Sequence, residues 1–108
     1  MTSPARQVLV VLVTCPSAAV GRRISRRLVQ QRLAACVNLV PQIESIYRWQ
    51  GKVEQGREAL LIMKTSAKRF AALQAAILRL HPYESPEIIA WPLSKGVPAY
   101  LRWVLFSV

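Results

Sequence analysis

Apolar residues along the chain recur with two different periods. Gln7 to Thr14 (QVLVVLVT) is continuously apolar over strand length and rich in valine, the pattern of a β-strand covered on both faces. Cys15-Pro16-Ser17 closes it, because Pro16 has no ladder donor and Ser17 is of the type that caps a following helix. From Ala18 to Arg32 the period becomes helical. Val20, Ile24 and Leu28 lie four residues apart, and Arg22, Arg23, Arg26, Arg27 and Gln30 fill the opposite side. Ala35 to Trp49 reads as a long strand that bends or bulges at Pro41, since a proline inside a sheet is tolerated at edges and bulges. Beyond the bend, Ile43, Ser45, Tyr47 and Trp49 share one face, and Glu44, Ile46 and Arg48 share the other.

Gln50-Gly51 supplies a tight turn. The return strand runs over Lys52–Glu54 and, after Gln55-Gly56, over Glu58–Thr65. Ser66 then caps a second helix, Ala67–Leu80, whose inner stripe is Phe70, Leu73, Ile77 and Leu80; Ala71, Ala72, Ala75 and Ala76 allow close packing. His81-Pro82 stops it, because the residue before a proline leaves helical space. Pro86 to Pro92 makes a short final strand, and a last amphipathic helix spans Ala99 to Phe106. The order β-α-β-β-α-β predicts an α+β fold, a ferredoxin-like sandwich of one sheet and two helices with an added C-terminal helix. Residues 1–7 read as a short flexible lead and residues 8–108 as a single domain, with no repeat or linker.

At 108 residues there is room for one core. The hydrophobic fraction of 53% is high for a soluble domain and points to burial between subunits. No apolar run reaches the length of a membrane span, and the first apolar stretch lacks the features of a signal peptide, so the expected compartment is the cytoplasm. There the two cysteines would be free thiols. The net charge of +10 invites a nucleic-acid partner, and RNA-recognition domains share this element order. Those domains stack bases on aromatics of their central strands, whereas VLVVLVT and ALLIMKT carry none. No specific nucleic acid is therefore expected, and the arginines read as a solvated helix face or a phosphate-binding stripe.

Chemistry has few places to sit. One His, no Asp and five Glu leave most acid–base constellations unassembled, and there is no GxGxxG, Walker A, GxSxG or HExxH. The densest polar cluster is His81-Pro82-Tyr83-Glu84, followed by Glu87. His81 and Glu84 could face one metal ion, or His81 could cap helix carbonyls and Glu84 the next turn. Cys15 and Cys36 form either a soft donor set or two small core residues. Tyr47, Arg48, Trp49 and Lys52 surround the hairpin tip as a partner surface. Lys64 is a solvent-reaching cap or an anion ligand. A composite site between subunits would combine His81 and Glu84 with a neighbour's Tyr47 or Trp49.

The segments VLVTCPS, LVQQRLAACVNLVPQIESIYRWQGKVE, EALLIMKT, LHPYESPEIIAWPL and YLRWV resemble the CutA divalent-ion tolerance family over nearly the whole of Val8–Val104. The resemblance implies the ferredoxin-like fold assembled as a homotrimer through strand pairing between subunits. It implies a non-enzymatic role in the response to copper and other divalent ions, with the metal weakly bound and not required for folding. Carried over by resemblance, Cys15, Cys36, His81 and Glu84 are the metal contacts, while Tyr47, Trp49, Lys64 and Tyr83 lie near the intersubunit cleft. Relatives often carry acids after the Cys-Pro pair and around the hairpin, where this chain has Ser17 and Gln55-Gly56-Arg57. Two competing readings remain open: a PII-like signalling trimer holding a small anion in its clefts, and a structural scaffold.

Overall fold

The structure, a computed structural model, describes residues 4–108. Strand β1 (Val8–Cys15) leads into helix α1 (Ala18–Gln30); β2 (Cys36–Trp49) and β3 (Lys52–Ser66) form a long hairpin. Helix α2 (Phe70–Leu80), β4 (Ile88–Pro92) and α3 (Pro98–Ser107) complete the chain. The four strands make one antiparallel sheet in the order β2-β3-β1-β4, the split arrangement that the element order implied.

Alternation along the central strands sets the layers. Val11, Val13 and Cys15 of β1 and Ala59, Leu61 and Met63 of β3 are fully buried beneath Ile24 and Leu28 of α1 and Leu73, Ala76 and Ile77 of α2. The opposite face is covered only at one end, where Val8 packs with Leu101 and Val104 of α3. The rest of that face stays apolar without cover. The register sets Val10 between Lys64 and Trp91, and Leu12 between Ile62 and Ile89, with Ile89 52% and Trp91 46% exposed. The expectation that β1 is covered on both faces therefore holds on one face and at one end of the other.

Local chemistry explains the element ends. Ser17 Oγ accepts from the Val20 N–H at 3.2 Å and caps α1. That helix ends at Gln30, two residues before the expected Arg32, whose φ of 58° takes the chain out of the helix. Its guanidinium donates to the Phe106 carbonyl at 3.0 Å, which ties the end of α1 to α3. Helix α2 starts three residues later than expected. Ser66 still pairs with Val8, and the Ala67 N–H donates to the Gln7 carbonyl at 2.8 Å, so the chain must turn before it coils. Ser66 Oγ caps that turn, accepting from the Arg69 N–H at 3.0 Å. Of the four alanines expected to pack closely, only Ala76 is buried.

Pro41 marks a real irregularity. Between Val40 and Ile43 three residues of β2 advance against two of β3. The extra residue inverts the alternation, so Cys36 and Asn38 before it share a face with Ile43, Ser45, Tyr47 and Trp49 after it. The expected two-part return strand is one continuous β3, which passes through Gln55-Gly56 while still paired to β2. Gln50 and Gly51 take φ values of 49° and 79°, the two-residue turn that matches strand twist. Of the lead expected to be flexible, residues 1–3 lie outside the described residues, whereas Ala5–Gln7 form a 3-10 turn with Ala5 buried against α3.

Gly21 sets the distance between α1 and the sheet. A Cβ there would lie 3.1 Å from Leu61 Cδ2 and 3.2 Å from Leu39 Cδ1, both held in the core. Gly21→Val should therefore lift α1 and destabilise the protein by about 1–3 kcal/mol, read as a lower urea midpoint with unchanged m-value. An unchanged midpoint would mean that α1 is not seated as described.

Candidate functional site

The bulged β2–β3 hairpin and the loop after α2 enclose a cleft of about 850 Å³. Its walls carry Tyr47, Trp49 and Tyr83 together with Glu44, Glu58, Glu84 and Glu87. In a chain of net charge +10, four of the five carboxylates thus converge on one place. Two elements bring them there. The hairpin turns Tyr47 and Trp49 to the face of Glu58, and the break at His81-Pro82 sends residues 82–87 across the end of β1. Tyr83 Oη donates to Glu58 Oε2 at 2.9 Å and joins the two walls. Burial and that carboxylate push the Tyr83 phenol well above its ordinary range. Gln55 likewise bonds Glu44 across the hairpin.

Beneath the cleft His81 is locked. Its Nε2 lies 2.7 Å from the Thr14 carbonyl, which can only accept, so Nε2 carries the proton. Nδ1 then accepts from the Tyr83 N–H at 3.1 Å. Both ring nitrogens are used, the residue is buried, and the loop is pinned to the end of β1. His81 thus acts here as a structural clamp with no free lone pair for a metal. Cys15 sits in the core next to that carbonyl, its thiol pushed up to about 11 by burial and secondarily by the Glu58 charge. A buried neutral thiol is a poor ligand until it loses its proton.

Cys36 lies elsewhere. It pairs with Lys64, whereas Cys15 pairs with Ala59, so five residues of β3 separate the two rows, about 17 Å along the strand. The Cys36 thiol meets Tyr100 Oη at 3.6 Å, and Lys64 is bonded to Asn38 on the same face. Tyr100 is pushed up to about 12 by burial and by the Cys36 thiol. Of the eight candidate residues, Tyr47, Trp49, Tyr83 and Glu84 therefore share one cleft with His81 and Cys15 below it. Cys36 and Lys64 form a second cluster with Asn38 and Tyr100. Among the described residues no three His, Cys or Glu side chains are placed to hold one metal ion, so the four expected ligands do not form a site within a single chain.

Sequence reasoning did not single out Glu58, Glu44 or Tyr100. Glu58 carried a usable signal, since it immediately precedes the apolar run ALLIMK on the strand face that alternation shares with Lys64. Glu44 gave none, because it joins the cleft through the curl of the hairpin.

Sheet order, one-sided helix layer and terminal helix define a small α+β domain of the split βαβ class. A family model described as CutA1 divalent ion tolerance protein matches residues 9–106, and the chain belongs to that family. It is 50% identical over 95 residues to the divalent-cation tolerance protein CutA of Thermus thermophilus, spanning 88% of this chain and 92% of that one. It is 48% identical over 97 residues to protein CutA of Mus musculus, but spans only 55% of that protein's length. The solved structure of the divalent cation tolerance protein from Thermus thermophilus superposes with a TM-score of 0.91 at 48% identity, over 94% of this chain and 98% of that one. Relatives named as chloroplastic in Arabidopsis thaliana and periplasmic in Archaeoglobus fulgidus show that the family is not confined to one compartment. Among the described residues no helix is long and apolar enough to cross a membrane.

Burial of Cys15 makes stability depend on pH. Its folded value of about 11 lies above the ordinary 9.0, so the native state keeps a proton that the unfolded chain releases. The contribution is intact below pH 9 and is lost as pH rises through about 11. In a Cys36→Ser background, the stability lost between these limits should exceed that of the Cys15→Ala counterpart by on the order of 2 kcal/mol. Parallel pH profiles for the two proteins would contradict the buried, neutral thiol.

Proposed function

We propose that this chain acts as a non-enzymatic homotrimer in the response to divalent metal ions, engaging a transition metal such as copper weakly at sites completed between subunits. The single observation that carries the reading is the convergence of four carboxylates on one aromatic-walled cleft in an otherwise basic chain. Net charge repels cations at long range, but beyond about 8–10 Å salt screens it, so an arriving ion meets the local carboxylates. Since the ligands of one chain do not converge, a metal site draws on more than one copy. The uncovered apolar face of the sheet supports that assembly: an antiparallel sheet that faces water normally turns polar residues outward, and here Ile62, Leu12 and Ile89 lie side by side. On this reading the metal is not required for folding. The cytoplasm remains the proposed compartment. A small anion in the cleft is the less favoured alternative, because it would face four carboxylates and no paired cation; a pure scaffold would leave the convergence of acids without a role.

Copper and zinc titrations of the tag-free protein against a competing chelator test the metal reading. Binding should saturate at an integral ratio per subunit or per trimer. It should weaken at least tenfold in Glu84→Gln/Glu87→Gln, whereas Cys15→Ser/Cys36→Ser should change it by less than threefold and His81→Ala should act mainly by loosening the loop. Binding too weak to compete, or unchanged in every variant, would reject it. Light scattering should give three times the chain mass across micromolar concentrations, and Ile89→Glu should shift the protein to monomer. A wild-type monomer would remove every site shared between copies.

A further inference from the structure

Helix α1 carries a basic face that the metal reading does not use. Arg22, Arg23, Arg26 and Arg27 are all exposed, while Gly21, Ile24 and Leu28 of the same helix are buried. The helix contains no acid. Arg22–Arg26 and Arg23–Arg27 are four residues apart and Arg23–Arg26 three, so like charges are neighbours on one surface, an arrangement that weakens a helix unless something neutralises it. Among the described residues none of the four guanidinium groups has a hydrogen bond or ion pair. Beside them a groove of about 370 Å³ is walled by Ser25, Arg26, Val29 and Gln30 of α1 and Val37 of β2. Ser25 Oγ, on that wall, is the one buried side-chain polar atom among the described residues that lacks a partner. Four of the chain's five carboxylates lie away in the cleft, so the helix face is left positive.

We propose that this face of α1 docks on the phosphodiester backbone of a nucleic-acid duplex without reading its sequence. The guanidinium fork matches phosphate oxygens in pairs, and four forks without protein partners are free to do so. From Arg22 to Arg27 the helix rises about 7.5 Å, which spans two to three phosphates at about 3.4 Å of axis per strand. No aromatic or amide side chain stands between the arginines to stack on a base or read adenine, and guanidinium groups held to phosphate read no base edge, so the contact is to the backbone. This agrees with the missing stacking platform on the central strands. An anionic lipid surface fits less well: Ile24 and Leu28 point into the core, and Val29 is the only large apolar residue that α1 exposes. The face lies on the helical side of the sheet, opposite the apolar face assigned to assembly.

Fluorescence anisotropy with a labelled 20-base-pair duplex of arbitrary sequence tests the proposal on the full chain. Two to three phosphate contacts give a log–log salt slope of about −1.8 to −2.7, or roughly 12- to 40-fold weaker binding at 200 mM than at 50 mM salt. Replacing Arg22, Arg23, Arg26 and Arg27 by Gln should weaken binding at 50 mM by at least 20-fold and flatten the slope. Replacing Lys52, Arg57, Lys95 and Arg102 by Gln removes equal charge elsewhere and should change the affinity by less than threefold. The double variant Arg26→Gln/Arg27→Gln should flatten the slope by about half and serves if the quadruple variant does not fold, as checked by circular dichroism. Equal weakening by both quadruple variants would reduce the effect to diffuse net charge and overturn the proposal. So would the absence of duplex binding at 50 mM salt, or capture by phosphatidylglycerol vesicles in preference to the duplex.

Discussion

The seating of β3 between its two neighbours is the constraint on which the rest depends. Its odd-numbered residues Ala59, Leu61 and Met63 are fully buried under both helices, and its register with β1 runs unbroken from Val8–Ser66 to Cys15–Ala59. A one-residue slip would turn the entire apolar set to the other face, so this register is firmly held. From it follow the height of α1, set by the contact of Gly21 with Leu61, and the position of the helix break that sends the 82–87 loop across the end of β1. The hydrogen bond from His81 to the Thr14 carbonyl is the joint through which the core positions the cleft.

That joint changes what the lone histidine does. An imidazole with both nitrogens satisfied holds a loop in place, and its value to the site is indirect: it fixes the backbone that carries Tyr83, whose hydroxyl in turn fixes Glu58. Cys15 lies in the same neighbourhood with its thiol kept neutral by burial. The chemistry on offer to an incoming ion is therefore carboxylate and aromatic at the surface, with imidazole and thiol withheld beneath. On the proposed metal reading, such a layout favours reversible engagement over a permanent structural centre.

Charge is unevenly placed, and the unevenness matters more than the total. Acids gather where the hairpin curls over the loop, while the only charges that α1 exposes are arginines. Mutual repulsion among those arginines offsets part of the helix stability, and burial of Ile24 and Leu28 more than compensates, as it does for most helices in folded domains. Opposite electrostatic character is thus built into separate regions of one small fold, and the sheet's remaining apolar face supplies a third kind of surface.

Periodicity alone determined most of the architecture. The valine run, the i, i+4 stripe of α1, the break at His81-Pro82 and the bulge at Pro41 each depend on neighbours in sequence, which is why strand and helix identities and the split βαβ order were legible. The start of α2 was not, because it is delayed by a bond from Ala67 to Gln7, sixty residues earlier. Site residues were legible only as local motifs: HPYE announced Tyr83 and Glu84, and the hairpin announced Tyr47 and Trp49. That Glu44 and Glu58 join them, and that Cys36 is offset about 17 Å along the strands from Cys15, was decided by register and by the phase inversion at the bulge, which are relations between strands. Which nitrogen of His81 keeps its lone pair was likewise decided in three dimensions, because the carbonyl that takes the Nε2 proton belongs to a residue 67 positions away and leaves the Nδ1 lone pair to the Tyr83 N–H.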